Sequence, residues 1–217
     1  MPEGVAYIPT PSGLPPVTAC INVFNDAGWL EKCLKSLQGK VKAIVVVDGA
    51  YEGFPHERPY STDGTIELAR EFADVVVTNN TAWESETIKR HHYIRYVPEN
   101  EWWLRIDADE ELEGYIPEGL EGVCYRIMLK RAGSSVPEYP IHALFRRGPH
   151  SRIYGTHHSV WWYRTLLPKL EDWPILPGCR LLHHQNARDT ARTKAKGVYY
   201  RTALLDTEKD FRQRFNV

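Results

Sequence analysis

Trp102-Trp103-Leu104-Arg105-Ile106-Asp107-Ala108-Asp109-Glu110-Glu111 is the stretch on which the fold turns. Its first half is apolar and β-rich, and reads as a strand over residues 102–106. Its second half breaks abruptly into acid at Asp107. Two carboxylates at i and i+2, leaving a strand end, can turn toward one point at the edge of a sheet. Hard oxygen donors of this kind suit Mg²⁺ or Mn²⁺, and such an ion neutralises a diphosphate. Alone, an Asp-x-Asp is common, and its ordinary meaning is a solvated acidic turn. Its weight here comes from what precedes it.

Upstream, strand and helix patterns alternate. Residues 17–24 form a buried, β-rich run. Asn25 or Asp26 can cap the helix that follows, whose apolar face is Trp29, Leu30, Cys33, Leu34 and Leu37 at 3–4 spacing. Gly39 stops it. Residues 42–47 are a second strand, apolar throughout, as expected when helices cover both faces. Ser61-Thr62-Asp63-Gly64 opens a helix through Phe72. A third strand covers 74–78, a helix covers about 83–97, and the quoted strand is the fourth. Four alternations predict an α/β fold with a parallel sheet and right-handed crossovers. Ligands bind such sheets beyond the carboxyl ends of the strands. The residues to watch are therefore Asn25, Asp26, Asp48, Asn79, Asp107 and Asp109.

Downstream the pattern is less regular. Strands are expected over 123–130, 143–147, 158–163 and 179–184, and a helix over 188–205. With 217 residues, 42% hydrophobic and 25% charged, the chain has room for one substantial core. It reads as a single domain, with a first half of 1–111 and a second, more irregular half of 112–217. No apolar run approaches the roughly 20 residues of a membrane span. Residues 1–16, with five prolines and no basic start, read as an extended lead-in rather than a signal peptide. Cys20, Cys33, Cys124 and Cys179 show no CxxC pairing, so reduced, buried thiols and a cytoplasmic location are expected. Charge is unevenly spread. Residues 1–123 hold 10 Lys/Arg against 21 Asp/Glu, and residues 124–201 hold 14 against 4. An acidic half and a basic half suit a metal on one side of a site and an anion on the other, or simple mutual attraction.

Four blocks in order resemble glycosyltransferase family 2: Ile21-Asn22-Val23-Phe24-Asn25-Asp26 with Trp29-Leu30, Cys33-Leu34 and Ser36-Leu37; Val45-Val46-Val47-Asp48; Ser61-Thr62-Asp63-Gly64-Thr65; and Ile106-Asp107-Ala108-Asp109-Glu110. The resemblance implies a GT-A fold, with a Rossmann-like, mostly parallel central sheet flanked by helices. It implies a metal-dependent enzyme moving a sugar from a nucleotide-diphosphate sugar, a UDP-sugar above others, to a hydroxyl acceptor. Phe24, Asn25 and Asp48 would cradle the base. Asp63 would serve the nucleotide or cap its own helix. Lys89 or Arg90 would lie near the donor. Asp107 would touch ribose or metal, and Asp109 would bind Mn²⁺ or Mg²⁺ directly. A late histidine ligand would be His183 or His184. The chain also departs from the family. Residues 49–60, with Tyr51, Phe54 and His56, intervene where the family runs almost directly into its Ser-x-Asp-Gly-Thr block. Asn22 replaces a frequent proline. Thr156-His157-His158-Ser159 stands where a His-Glu pair is often seen.

The basic helix carries Arg188, Arg192, Lys194 and Lys196. Arg192 and Lys196 are expected at the donor, neutralising the leaving diphosphate. An inverting enzyme needs a carboxylate to deprotonate the acceptor. The second half offers Glu138, Glu171, Asp172 and Asp189, and Asp172 with Glu171 resembles the acidic pair of processive family members. A retaining mechanism needs no such base. Other classes stay open. A nucleotidyltransferase would need a Gly-rich loop after the first strand, where Asn25-Asp26-Ala27-Gly28 has one glycine. The basic half with Trp161, Trp162, Tyr163, Tyr199 and Tyr200 suits a nucleic-acid-binding module. It equally suits a glycosyltransferase with an anionic acceptor, either a modified base in nucleic acid or a phosphorylated carrier.

Overall fold

A computed structural model describes residues 13–149, 151–154, 159–162, 165–166, 173–184 and 190–201. At its centre lies β1 (Val17–Val23), parallel both to β2 (Ala43–Asp48) and to β4 (Trp102–Asp107). The short β3 (Val75–Val77) continues the parallel array beyond β2. Every residue of β2 is buried, because helices lie on both faces.

The two faces have separate cores, divided by the strand period of two. Val17, Ala19, Ile21 and Val23 face α1 (Ala27–Leu37) and α2 (Thr65–Phe72), where Leu30, Leu34, Leu37 and Ala69 meet Val46, Leu104 and Ile106. Cys20, Val45, Val47 and Trp103 face the other way. They meet α3 (Glu86–Tyr93), the 3₁₀ turn Ile94–Tyr96 and α4 (Thr190–Arg201) through Tyr93, Ile94, Val97 and Tyr199. Trp103 is stacked on Phe145, with ring centroids 4.5 Å apart.

Beyond β4 the same sheet continues with mixed polarity. β7 (Tyr139–Arg146) is antiparallel to β4, and β6 (Cys124–Arg131) is antiparallel to β7. β11 (Ile175–His183) runs parallel to β6, and β5 (Glu110–Gly114) closes the edge antiparallel to β11. The full order is β3-β2-β1-β4-β7-β6-β11-β5. β8 (Arg152–Tyr154), β9 (Ser159–Trp162) and β10 (Thr165–Leu166) make a separate three-stranded sheet. The expected α/β sheet is present, parallel through its first four strands.

Three local expectations need correction. The acidic run after Asp107 is strand β5, not an open loop. β7 and β11 each start four residues before the expected positions. Neither Asn25 nor Asp26 caps α1 with its side chain; the N–H of Ala27 donates instead to Asp63 Oδ2, 3.1 Å away. The thiols of all four cysteines are free, as expected, and three are buried. Among the described residues no helix is long and apolar enough to cross a membrane.

Candidate functional site

A cleft of about 460 Å³, open to solvent on one side, lies at the carboxyl ends of β1, β2 and β4. The end of β1 supplies Asn22, Phe24 and Asp26. The loop after β2 supplies Tyr51 and Phe54. Glu86, Lys89 and Arg90 come from α3, Asp107 from β4, and Lys196 from α4. Five of the residues expected at the donor thus line one cavity: Phe24, Lys89, Arg90, Asp107 and Lys196.

Asp107 ends β4 half-exposed. Its Oδ1 accepts a hydrogen bond from Arg90 Nη2 at 2.8 Å. The same guanidinium donates to Glu86 Oε1 from Nε at 3.1 Å and from Nη2 at 3.0 Å. Glu86 and Arg90 are i,i+4 on α3 and both are buried, so this pair is screened far less than a surface one. Burial lowers Lys89 to a pKa of about 7, opposed by the charges of Asp48, Asp26 and Glu86. Its Nζ donates to the carbonyls of Val23 at 2.7 Å and Gly49 at 2.6 Å, bridging the ends of β1 and β2.

Asp109 is buried, and its Oδ2 lies 3.5 Å from His183 Nε2. Hydrogen bonding to Asp109 raises the His183 pKa above its ordinary value despite burial. β5 and β11 make this meeting possible, since their register sets His183 opposite Glu110. Burial, with Asp107 adding to it, raises Glu110 to about 7, and Glu110 Oε2 accepts the Asp107 N–H at 2.9 Å. His184 points elsewhere. Its Nε2 is 2.5 Å from Glu111 Oε1 and its ring stacks on Trp29 at 5.2 Å. Of the two expected histidines, His183 is the one at Asp109. No group of three or more His, Cys, Asp or Glu side chains arranged to hold a metal occurs among the described residues.

Asp48 does not line the cleft. It is fully buried, and both its oxygens face Ser61: the N–H of Ser61 donates to Oδ2 at 3.0 Å and its hydroxyl to Oδ1 at 2.5 Å. Burial raises the Asp48 pKa, against the opposing effect of these bonds. Ser61 Oγ in turn accepts the Asn25 N–H at 2.7 Å, and Asn25 Oδ1 accepts the Thr62 N–H at 2.9 Å. The expected base cradle of Asn25 and Asp48 is therefore engaged in pinning the root of the 49–60 insertion. Gly49 makes the tight exit possible. At φ +123°, a Cβ there would lie 2.8 Å from Pro59 O and 2.9 Å from Trp83 Nε1. Asp63 serves helix starts. Its Oδ1 accepts from Thr65 N and Oγ1 at 3.1 and 2.6 Å, and its Oδ2 accepts from Ala27 N. Burial pushes Asp63 up, but these bonds outweigh it and hold its pKa below the usual range. This is the helix-capping alternative, extended to two helices.

Glu171, Asp172 and Asp189 lie outside the described residues, as do the side chains of Arg192, Trp161 and Trp162. Sequence reasoning missed Glu86, Tyr51 and Phe54 as cleft residues. A signal for Glu86 existed: Glu86, Lys89, Arg90 and Tyr93 recur at helical spacing, so the charged residues occupy the buried face of α3.

No protein-family profile matches the chain. The SPbeta prophage-derived glycosyltransferase SunS of Bacillus subtilis strain 168 and the glycosyltransferase SunS of Bacillus phage SPbeta are each 31% identical to it over 100 residues, 45% of this chain and 21% of theirs. The match spans about a fifth of the length of these curated relatives. Among solved structures, Staphylococcus aureus TarS 1–349 in complex with UDP is 20% identical with a TM-score of 0.38, covering 56% of this chain and 38% of that one. A crystal structure of S. aureus TarS gives 16% and 0.37, covering 56% and 23%. Likeness at such scores carries no weight for mechanism. The sequence match does carry weight, and over nearly half its length this chain is a relative of bacterial and phage glycosyltransferases.

Proposed function

We propose that the chain is a glycosyltransferase that takes a sugar from a nucleoside-diphosphate sugar, UDP-sugars first among them, and delivers it to a hydroxyl acceptor. The observation that carries this reading is the cleft at the ends of β1, β2 and β4, where Phe24, Lys89, Arg90, Asp107 and Lys196 converge. Its position is the one where parallel α/β sheets bind ligands, and the names of the SunS relatives point the same way.

In this reading Lys196 faces the departing diphosphate and offsets its growing charge. Arg90 fixes the rotamer of Asp107 through the 2.8 Å bond. Lys89 holds β1 and β2 at the spacing that shapes the cleft floor. The donor set for a hard cation is partial but chemically apt. Asp109 Oδ2 and His183 Nε2, 3.5 Å apart, are close to the separation of two neighbouring ligands on one ion, roughly 3 Å for bonds near 2.1 Å. Asp109, His183 and Asp107 would hold Mn²⁺ or Mg²⁺, with the diphosphate supplying further oxygens. When bound, such an ion supplies charge neutralisation of the leaving group. For an inverting course, acceptor deprotonation falls to Asp172 or Glu171. Free thiols at all four cysteines fit a reducing compartment, and we place the chain in the cytoplasm.

The test is a thermal-shift and calorimetric screen of UDP, ADP and GDP, each with and without Mn²⁺. Binding of UDP that requires the metal supports the reading, and no nucleoside diphosphate binding under either condition refutes it. A second reading, an anionic acceptor, rests on Arg152, Arg95 and Arg147 gathered about His91. Burial first, and then these cations, lower the His91 pKa to about 4. Affinity for single- or double-stranded DNA or a phosphorylated glycan carrier should then fall with salt, with a log–log slope of about −0.7 to −0.9 per phosphate contacted. Absence of binding at about 50 mM salt makes a neutral acceptor the better assignment.

A further inference from the structure

Glu86 has no counterpart among the expected donor residues, yet it joins more of the cleft than any of them. It opens α3 and is buried at 3% exposure. Its backbone N–H donates to the hydroxyl of Tyr199 at 3.1 Å. Tyr199 is itself buried, with its ring 4.5 Å from that of Tyr51. The hydroxyl of Tyr200 hydrogen-bonds the Glu86 side chain. Glu86 Oε1 also accepts both bonds from Arg90, and Arg90 Nη2 is shared with Asp107. On the α4 side, Lys196 stands one turn before Tyr200, with its ammonium 5.5 Å over that ring, within cation–π range. Lys196, Tyr200, Glu86, Arg90 and Asp107 thus form an unbroken line across the cleft, from the basic half to the acidic one.

We propose that Glu86 is a positioning residue that docks α4 against α3 and, through Arg90, sets the orientation of Asp107, so that Lys196 and Asp107 are placed together or not at all. The proposal rests on the donor-site reading above for its functional half and on the contacts alone for its structural half. The reasoning is one of competition for a single donor. Arg90 Nη2 serves two carboxylates. With Glu86 neutral, the guanidinium has one anionic partner left and turns fully onto Asp107, occupying the oxygens the donor needs. At the same time the Tyr200 hydroxyl loses a charged acceptor, a bond of the stronger class, and α4 is held by Tyr199 alone. An isolated helix of 12 residues is marginal in water, so α4 depends on this docking for its order.

The variants are Glu86→Gln, which keeps shape and removes charge, and Tyr200→Phe, which deletes one hydroxyl and keeps the ring beneath Lys196. Each is made alone and together with Lys196→Met in the 217-residue chain. Amide hydrogen exchange is read first, without ligand. Exchange over 193–201 should accelerate about tenfold or more in Glu86→Gln and by a smaller factor in Tyr200→Phe, while α1 amides change less than about twofold. UDP affinity with Mn²⁺ is read second. Lys196→Met should cost about tenfold in the wild-type background, the loss of one charged hydrogen bond, and less than about twofold in the Glu86→Gln background, because coupled sites are not additive. Equal costs in the two backgrounds, or unchanged α4 exchange in both single variants, overturn the proposal. If the wild-type chain binds no nucleoside diphosphate, the donor-site reading fails, and the exchange arm alone decides whether Glu86 holds α4. Should Glu86→Gln fail to fold, Tyr200→Phe carries both measurements.

Discussion

Lys89→Met asks what charge the lysine at the floor of the cleft carries. The side chain is 2% exposed, and its Nζ bridges two carbonyls at the ends of adjacent parallel strands. A neutral amine has two N–H groups and can satisfy both carbonyls without a charge. Burial draws the folded pKa down to about 7 from 10.5. In the unfolded chain the lysine keeps its proton up to the higher value. Between the two values the unfolded state binds more protons than the native one, so stability must rise with pH. The limiting slope is about 1.4 kcal/mol per pH unit for one proton. Integrated from pH 7 to pH 9, with the midpoint near 7, it comes to about 2 kcal/mol. Methionine has nearly the same length, does not titrate, and leaves two buried carbonyls without a donor, at about 1–3 kcal/mol each. At pH 9 the variant should therefore be less stable than wild type by about 2–4 kcal/mol, and at pH 7 the gap should be about 2 kcal/mol narrower. Urea unfolding of both proteins at pH 7, 8 and 9 measures this gap directly. A gap that does not change with pH would show that Lys89 stays protonated in the fold, and the argument from burial would be wrong. In the same pH range, binding a diphosphate beside a neutral Lys89 should draw a proton from solution, visible as buffer-dependent binding heat at pH 8.

Three further outcomes are expected. Asp109→Asn keeps shape and removes charge, so metal-dependent UDP binding should vanish by calorimetry while the melting transition survives; undiminished binding refutes the metal role. Asp48→Ala strips Ser61 of both acceptors, and thermal or urea unfolding should register a loss of about 1–3 kcal/mol. It should also weaken UDP binding through the displaced 49–60 insertion, and unchanged affinity would remove Asp48 from the donor site. Gly114→Ala places a Cβ 2.0 Å from Gly178 O at φ +79°, so a destabilisation of roughly 3 kcal/mol is expected in urea unfolding, and a value under about 1 kcal/mol would mean that the β5–β11 edge relaxes freely.

The strands of the parallel half were readable because each is an apolar run too short for a helix and bounded by turn residues. Asp107 could be placed because it ends the last of these runs. β5 was not readable: Glu110-Glu111-Leu112-Glu113-Gly114 has one apolar residue, and its charges are answered from far away, Glu113 by Arg180 at 2.5 Å and Glu111 by His184. Helix starts failed for a related reason. The group that meets the α1 N-terminus, Asp63, lies 36 residues beyond Ala27, outside any local rule. Asp48 was correctly placed at a strand end, but the insertion that follows it folds back and supplies Ser61, which closes the carboxylate off. Lys89 and Arg90 were found by their spacing from the acidic pair. Glu86 was not, because a buried charged helix face contradicts the pattern by which helices are ordinarily read.

The pairing of β5 with β11 also has a consequence for the order in which the chain can be made. β1 to β4 find one another through short crossovers, and all four have been synthesised by residue 107. β5 follows immediately, yet it is hydrogen-bonded in the sheet to β11, with Glu110 opposite His183 and Gly114 opposite Cys179. Closing so long a loop is entropically slow compared with the local pairings. A ribosome-bound chain that has not yet reached residue 175 holds the strand-end cleft half-built, with Asp109 beside no histidine. Vectorial synthesis therefore completes the Asp109–His183 corner last, after the nucleotide-side strands have settled.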